Sequence, residues 1–296
     1  MAWLVGSRRW TPPRPINAYV IDHADGLVLY SRPLPTNPRS LTNQEGTPIM
    51  ADTLRIKSTG RRPTDSPRKT ALVAGVLYVV TFISSIAGAL LLDPVLNNPQ
   101  YIVSAGSDTQ VLLGALLDLV NAFACIGTAV ALFSVVKRQH EGSALGFVTS
   151  RVVEAVIVVV GVLSVLAVVS LRQTGATGAE AATLVTVQRA LLAIRDWIVQ
   201  LGIPVMAGIN ALLLGSLMYR SRLVPRVIPT LGLIGAPLII SSAIGTMFGV
   251  NEMVSVWSGI GAAPIFVWEL SLGLWMAIKG FSPSAPLMVT TTGIAA

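Results

Sequence analysis

Residues 147–170 read FVTSRVVEAVIVVVGVLSVLAVVS, a run of Val, Leu, Ile, Ala and Gly interrupted by Arg151 and Glu154. At 1.5 Å per residue, a helix of this length crosses about 30 Å of hydrocarbon. An Arg or an acid at bilayer depth costs about 2.5–3.5 kcal/mol on insertion scales, so such groups usually face the interior of a helix bundle and are paired. Arg151 and Glu154 are three residues apart and therefore share one helical face. The stretch fixes the class of the chain as membrane-spanning and helical, and it marks a place where the bundle is polar inside.

The rest of the chain agrees. Of its 296 residues, 53% are hydrophobic and 12% charged, against about 25% charged in an ordinary soluble domain. Six apolar blocks fall at about residues 71–92, 109–136, 146–170, 193–219, 227–249 and 256–278. The expected fold is all-α: a polytopic domain over residues 70–280, with a basic tail over 1–69 and a short tail over 281–296.

The net charge of +7 does not indicate nucleic acid, because 11 of the 21 Lys and Arg precede residue 70 and most others flank apolar blocks. Arg61, Arg62, Arg68 and Lys69 precede block one, Lys137 and Arg138 lie between blocks two and three, Arg220, Arg222 and Arg226 between four and five, and Lys279 follows block six. The connections DPVLNNPQYIVSAGSD and NEMVSV carry no Lys or Arg. The positive-inside rule therefore predicts both termini in the cytoplasm and a cell (inner) membrane location, with Arg172 as the main exception.

Half of the 18 prolines fall in residues 1–69, among scattered arginines. A segment of that composition buries too little apolar surface to fold alone, so disorder is expected. It lacks the apolar run of a signal peptide. Met50 also opens a plausible short basic N-terminus, MADTLRIKSTGRRPTDSPRK. A start at Met50 is a second reading of the tail, and the intact mass of protein made from the native gene distinguishes the two.

Between blocks three and four, GAEAATLVTVQRALLAIRD has helical spacing and is expected to extend the fourth helix beyond the membrane. Pro204 and Pro237 predict kinks or freed carbonyls. Gly202, Gly208 and Gly215, and Ser241 with Gly245, are spaced for close helix packing. The likeness of SSIAG in block one to SSAIG in block five is too short to mark inverted halves.

Depth pairs the buried charges. Arg151 lies about 5 residues and Glu154 about 8 from the cytoplasmic end of block three, and Glu269 about 10 residues from Lys279. Glu269 is therefore the expected cross-helix partner of Arg151. Two acids on one Arg leave a surplus negative charge or a bound proton, so a proton or cation site is one reading; a packing clamp, the commoner use of buried ion pairs, is the other. Nearer the outer side, Asp118 and Asn121 share a face of block two, while Arg195, Asp196 and, deeper, Asn210 enter on block four. Asp118 is expected to meet Arg195, and Asn121 lies at a depth similar to Asn210. For the two asparagines interhelical hydrogen bonding is the commoner role, and the RDW triplet also suits an interfacial anchor around Trp197.

No enzyme is expected. The chain has no H-E-x-x-H, G-x-x-x-x-G-K-[ST] or G-x-S-x-G. Its two histidines, His23 and His140, lie outside the apolar blocks, and its single cysteine, Cys125, can form neither an intramolecular disulfide nor a cysteine-based metal site. No cofactor or metal is expected. The expected partners are the lipid bilayer, a small molecule or a proton or cation, and a membrane protein partner.

The segments RKTALVAGVLYVVTFISSIAG, YIVSAGSDTQVLLGALLDLVNAFACIGTAVALFSVVKRQ, SRVVEAVIVVVGVLSVLAVVSLR, RDW, IPTLGLIGAPLIISSAIGTMFG and WELSLGLWMAIKGF occur in that order. From about Ser66 to Pro283 they resemble the bacterial membrane-protein family called domain of unknown function 4386. The resemblance implies a six-helix integral membrane protein and supplies neither an activity nor site residues. Two function classes follow: a small transporter or ligand-binding membrane protein, or an accessory or assembly subunit whose buried polar groups fix helix register.

Overall fold

The computed structural model describes residues 19–21, 28–30 and 67–288, apart from 176 and 253. In the first unit, Tyr19–Ile21 (β1) and Val28–Tyr30 (β2) pair antiparallel, with Tyr19 opposite Tyr30. The other residues of 1–66 lie outside the described set, and so does the disorder expected of them.

From residue 67 on, every element is helical: α1 Pro67–Leu91, a single turn α2 Asp93–Leu96, a 3-10 turn Tyr101–Val103, α3 Thr109–Val136, α4 Glu141–Arg172, α5 Ala179–Trp197, a π-helical turn Ile198–Gly202, α6 Ile203–Ser221, α7 Val227–Met247 and α8 Val256–Ile278. Counting α5 through α6 as one helix of 43 residues, six helices are long and apolar enough to cross a membrane. Their outer faces expose Leu72, Ile83 and Leu90 on α1, Leu116 and Phe123 on α3, and Val156 and Leu163 on α4, a pattern that hydrocarbon accepts and water does not.

Local chemistry sets the helix ends. His140 caps α4 by accepting the Ser143 N–H at 3.1 Å, and Glu141 and Arg172 sit at the ends where the helix dipole favours their charges. Ser255 caps α8 through the Ser258 N–H at 3.2 Å. Arg68 donates to the carbonyls of Met276, Ala277 and Ile278 at 2.9–3.1 Å, so the start of α1 and the end of α8 meet at one end of the bundle. This is the basic end; the 92–108, 173–178 and 248–255 connections lie at the far end.

Neighbouring helices follow the order α1, α3, α4, α6, α7 and α8, and α8 closes back on α1. A continuous core of Tyr78, Leu132, Phe147, Leu214, Trp268, Leu272 and Met276 fills the basic half. The chain past α8 contributes to it, since Phe281 and Ala285 are buried and the Ser282 N–H donates to the Leu223 carbonyl at 2.8 Å. On α6 and the turn before it, the glycines pack as expected: a Cβ on Gly202 would press on Ile157 of α4 at 2.9 Å, and one on Gly215 would reach Leu233 of α7 at 3.3 Å; of the Ser241 and Gly245 pair, Ser241 is exposed and a Cβ on Gly245 would meet the Asn251 side chain rather than a neighbouring helix.

Pro204 has the predicted effect in a specific form. The five residues before α6 wind as a π turn, with the Ile203 N–H bonded to the Ile198 carbonyl. Pro237, by contrast, stays within a continuous α7, and Pro264 sits within α8.

At the far end, Arg172, the exception to the charge rule, has local partners. Arg172 pairs with Asp108, donates to the carbonyls of Ser104 and Gly106 at 2.9–3.1 Å, and stacks over the Tyr101 ring at 4.5 Å. The Tyr101 hydroxyl donates to Asp108 at 2.7 Å. Buried Gln188 of α5 completes the dock, accepting the Ile102 N–H and donating to the Asn98 carbonyl, both at 2.8 Å.

Burial alone raises the Asp108 carboxyl, but hydrogen bonds from Tyr101, Arg172 and Gln173 outweigh it and hold the group below its ordinary value. Burial, reinforced by Asp108, pushes the Tyr101 hydroxyl up to about 12. A depressed acid stabilises above its unfolded value, about 3.9, and that contribution is lost as pH falls through the folded one; a raised phenol stabilises below about 10 and loses its contribution as pH rises through the folded value. Hydrogen exchange over residues 98–106 is therefore expected to be slowest between about pH 4 and 10 relative to the intrinsic rate. Asp108→Asn should remove the acid limb; if the limb stays, another group sets it.

Candidate functional site

Five of the six spanning helices contribute to one polar group inside the ring. Arg151 of α4 is 2% exposed. Its guanidinium donates to Glu154 at 2.8 Å and to Glu269 of α8 at 3.5 Å, and approaches Cys125 Sγ of α3 at 3.7 Å. Its planar head lies 5.0 Å from the Tyr78 ring of α1 and 6.0 Å from that of Phe147, a cation–π arrangement that favours the charged form. The Nε–H is buried and has no acceptor among the described residues, so the guanidinium is satisfied on its forked side only.

The two carboxylates are held unequally. Glu154 also accepts from the Asn210 amide of α6 at 2.7 Å, and Asn210 in turn accepts from Ser150 at 2.6 Å. Among the described residues Glu269 has only the long contact to Arg151, and 19% of its side chain is exposed against 9% for Glu154. Formal charge is one positive and two negative, and the negative charge with the weaker grip is on α8.

The depth argument thus places Arg151, Glu154 and Glu269 correctly, and it succeeds again for Asp118 and Arg195, which pair at 3.0 Å between α3 and α5. Room for that second pair comes from glycines: a Cβ on Gly88 would meet Asp118 at 3.0 Å, and one on Gly161 would meet Arg195 at 3.4 Å. The pairing suggested for Asn121 and Asn210 is corrected. Among the described residues Asn121 has only a weak contact from Cys125 of its own helix at 3.9 Å, whereas Asn210 belongs to the Arg151 group. Equal depth does not place two side chains on facing sides of their helices. Asp196 is exposed and makes no side-chain hydrogen bond or ion pair among the described residues.

Tyr78, Cys125 and Ser150 complete the group, none of them among the site residues expected from the sequence. Ser150 had a usable signal, since it precedes Arg151 on a turn already marked as polar. Tyr78 and Cys125 had none, because neither carries a formal charge whose depth could be matched.

Six apolar helices around a buried ionic group define a multi-pass membrane protein with a polar interior. Residues 73–280 match the family described as Domain of unknown function (DUF4386), and the chain belongs to it. Comparison with the curated proteins and with the solved structures returns no match.

Proposed function

We propose that the chain is a small transporter or ligand-binding membrane protein, non-enzymatic, whose Arg151, Glu154 and Glu269 group takes up a proton or a small cation. The observation that carries this reading is the unequal hold on two carboxylates by one guanidinium. Glu154, bonded to Arg151 and Asn210, acts as the fixed counter-charge. Glu269, with one long contact and partial exposure, is the carboxylate free to exchange its compensating positive charge. A charge left uncompensated at bilayer depth is costly, and that cost supplies the drive to bind. The charge distribution of the loops supports a cytoplasmic location for the basic end and both termini, and the inner membrane of a bacterial cell as the location.

Reconstituted vesicles test the reading. Glu269→Gln should abolish proton- or cation-dependent flux while leaving extraction and folding intact. Unchanged flux with unchanged folding removes the site.

The second reading, an accessory subunit, draws on the link that Glu154 makes from α4 to α6 through Asn210, which fixes helix register whether or not anything binds. It expects Glu269→Gln to lower stability or the retention of a protein partner. Native mass spectrometry on gently extracted protein separates the two: a bound ion or small molecule lost in Glu269→Gln, or a stoichiometric protein with an empty core.

A further inference from the structure

A cavity of about 350 Å³ opens in the far half between the π turn, α7 and α8. Its described lining is uncharged, and its polar members are Gln200, Ser242, Thr246, Ser255 and Ser258. The hydroxyls are fixed rather than free to turn: the Asn251 amide donates to Thr246 and Ser258 at 3.1 Å, and Ser242 donates to Ser258 at 3.1 Å. Pro204 also lines the cavity and has no N–H, so the turn ahead of it, whose Val199 and Gln200 are both in the lining, contains one more carbonyl than the ladder has donors. Ser258 is filled by the two bonds it accepts, whereas Ser242 and Thr246 keep lone pairs; with the freed carbonyl, these oxygens in an uncharged pocket at a broken helix suit a small, partly dehydrated cation.

The cavity lining and Glu269 share one face of α8. Ser255, Ser258, Ala262, Phe266 and Glu269 follow the three-and-four spacing of one face of α8, so Ala262 in the lining stands about 10 Å above Glu269 along the helix. Between them, Phe266 meets Phe82 of α1 edge to face at 5.1 Å. Phe82 lies one turn beyond Tyr78 on the face of α1 that meets Arg151. The aromatic pair therefore sits one turn above the ionic group on both helices.

We infer that this cavity is a vestibule for a small monovalent metal cation such as sodium, and that Phe82 and Phe266 separate it from Glu269. The inference rests on the transporter reading and names its substrate class and route. Apolar constrictions of this kind gate by excluding water, while aromatic faces attract cations rather than anions.

Gly259 lines the cavity, and a Cβ there meets nothing within 4 Å, so Gly259→Cys introduces a thiol without displacing anything. Cys125 is buried, and the parent chain gives the background. A small membrane-impermeant thiol reagent should label the variant from the far side. Sodium at ten times its dissociation constant should slow labelling about tenfold, whereas N-methylglucamine at equal ionic strength should not. Ala262→Cys, also in the lining, gives the same readout should Gly259→Cys not insert. Equal rates in the two cations, or no labelling of either variant, overturn the vestibule. In the Glu269→Gln background, the protection should persist because the vestibule oxygens are untouched. Protection alongside unaltered flux in that background leaves the vestibule standing and removes Glu269 from the transport path. Phe266→Ala should raise sodium flux; an unchanged flux removes the gate.

Discussion

Arg151→Met should destabilise the protein by about 3–5 kcal/mol, the usual cost of removing one member of a buried ion pair, read as a shift in unfolding midpoint in mixed micelles. Methionine matches much of the arginine's length and is apolar, so the loss is one of charge and hydrogen bonds more than of packing. What remains is Glu154 facing only Asn210, and Glu269 with no cation among the described residues. Two carboxylates then compete to be neutral in a medium that solvates neither. The same reasoning predicts recovery: adding Glu154→Gln and Glu269→Gln should restore most of the loss, because a neutral group of similar volume is often as stable as the ion pair it replaces. Of the single acid substitutions, Glu154→Gln should be the more damaging, since Glu154 accepts two strong bonds and Glu269 one long one. A loss below about 1 kcal/mol for Arg151→Met would mean that the guanidinium acts as an exposed ion does, contrary to its burial.

Much of this group was legible because charge in a greasy helix is expensive and depth can be counted. Arg151 and Glu154 announced themselves by composition, Glu269 by its distance from Lys279, and Asp118 with Arg195 by entering from the same side. The argument failed for Asn210, where depth agreed with Asn121 but rotation about the helix did not. A sequence gives the position of a residue along a helix directly, whereas the face it presents depends on how all the neighbours pack. Pro204 illustrates a different limit. The residue itself forecasts a break, yet whether the break is a kink, a π turn or nothing, as at Pro237, depends on room in the surrounding helices. Gln188 was invisible because its partners are backbone groups of a distant loop. Arg172 reads as an exception by charge counting, and its partners Asp108 and Tyr101 were not legible, because they come from a separate connection.

The close approach of α1 to α8 leads to the second large effect. A Cβ on Gly75 would lie 2.7 Å from the Gly273 carbonyl and nearer still to the Ala277 backbone nitrogen. These are backbone atoms and cannot swing aside as a side-chain end does, so the two helices must separate. Gly75→Ala should cost about 1–3 kcal/mol and Gly75→Leu more, in line with other overpacked interiors. Gly259→Ala, where the added methyl meets open space, is the control and should stay within about 1 kcal/mol of the parent. The consequence reaches the ionic group, because Tyr78 is one turn from Gly75 and Glu269 one turn from Gly273, and a Cβ on Gly273 would itself strike Tyr78 Cβ at 2.8 Å. Spreading α1 from α8 lengthens an Arg151–Glu269 contact that is already 3.5 Å, while Glu154 and Asn210, on α4 and α6, are spared. On the transporter reading, Gly75→Ala should therefore reduce flux by more than its loss of stability explains. If flux per folded molecule is unchanged, the contact between Arg151 and Glu269 is not what the transport step depends on.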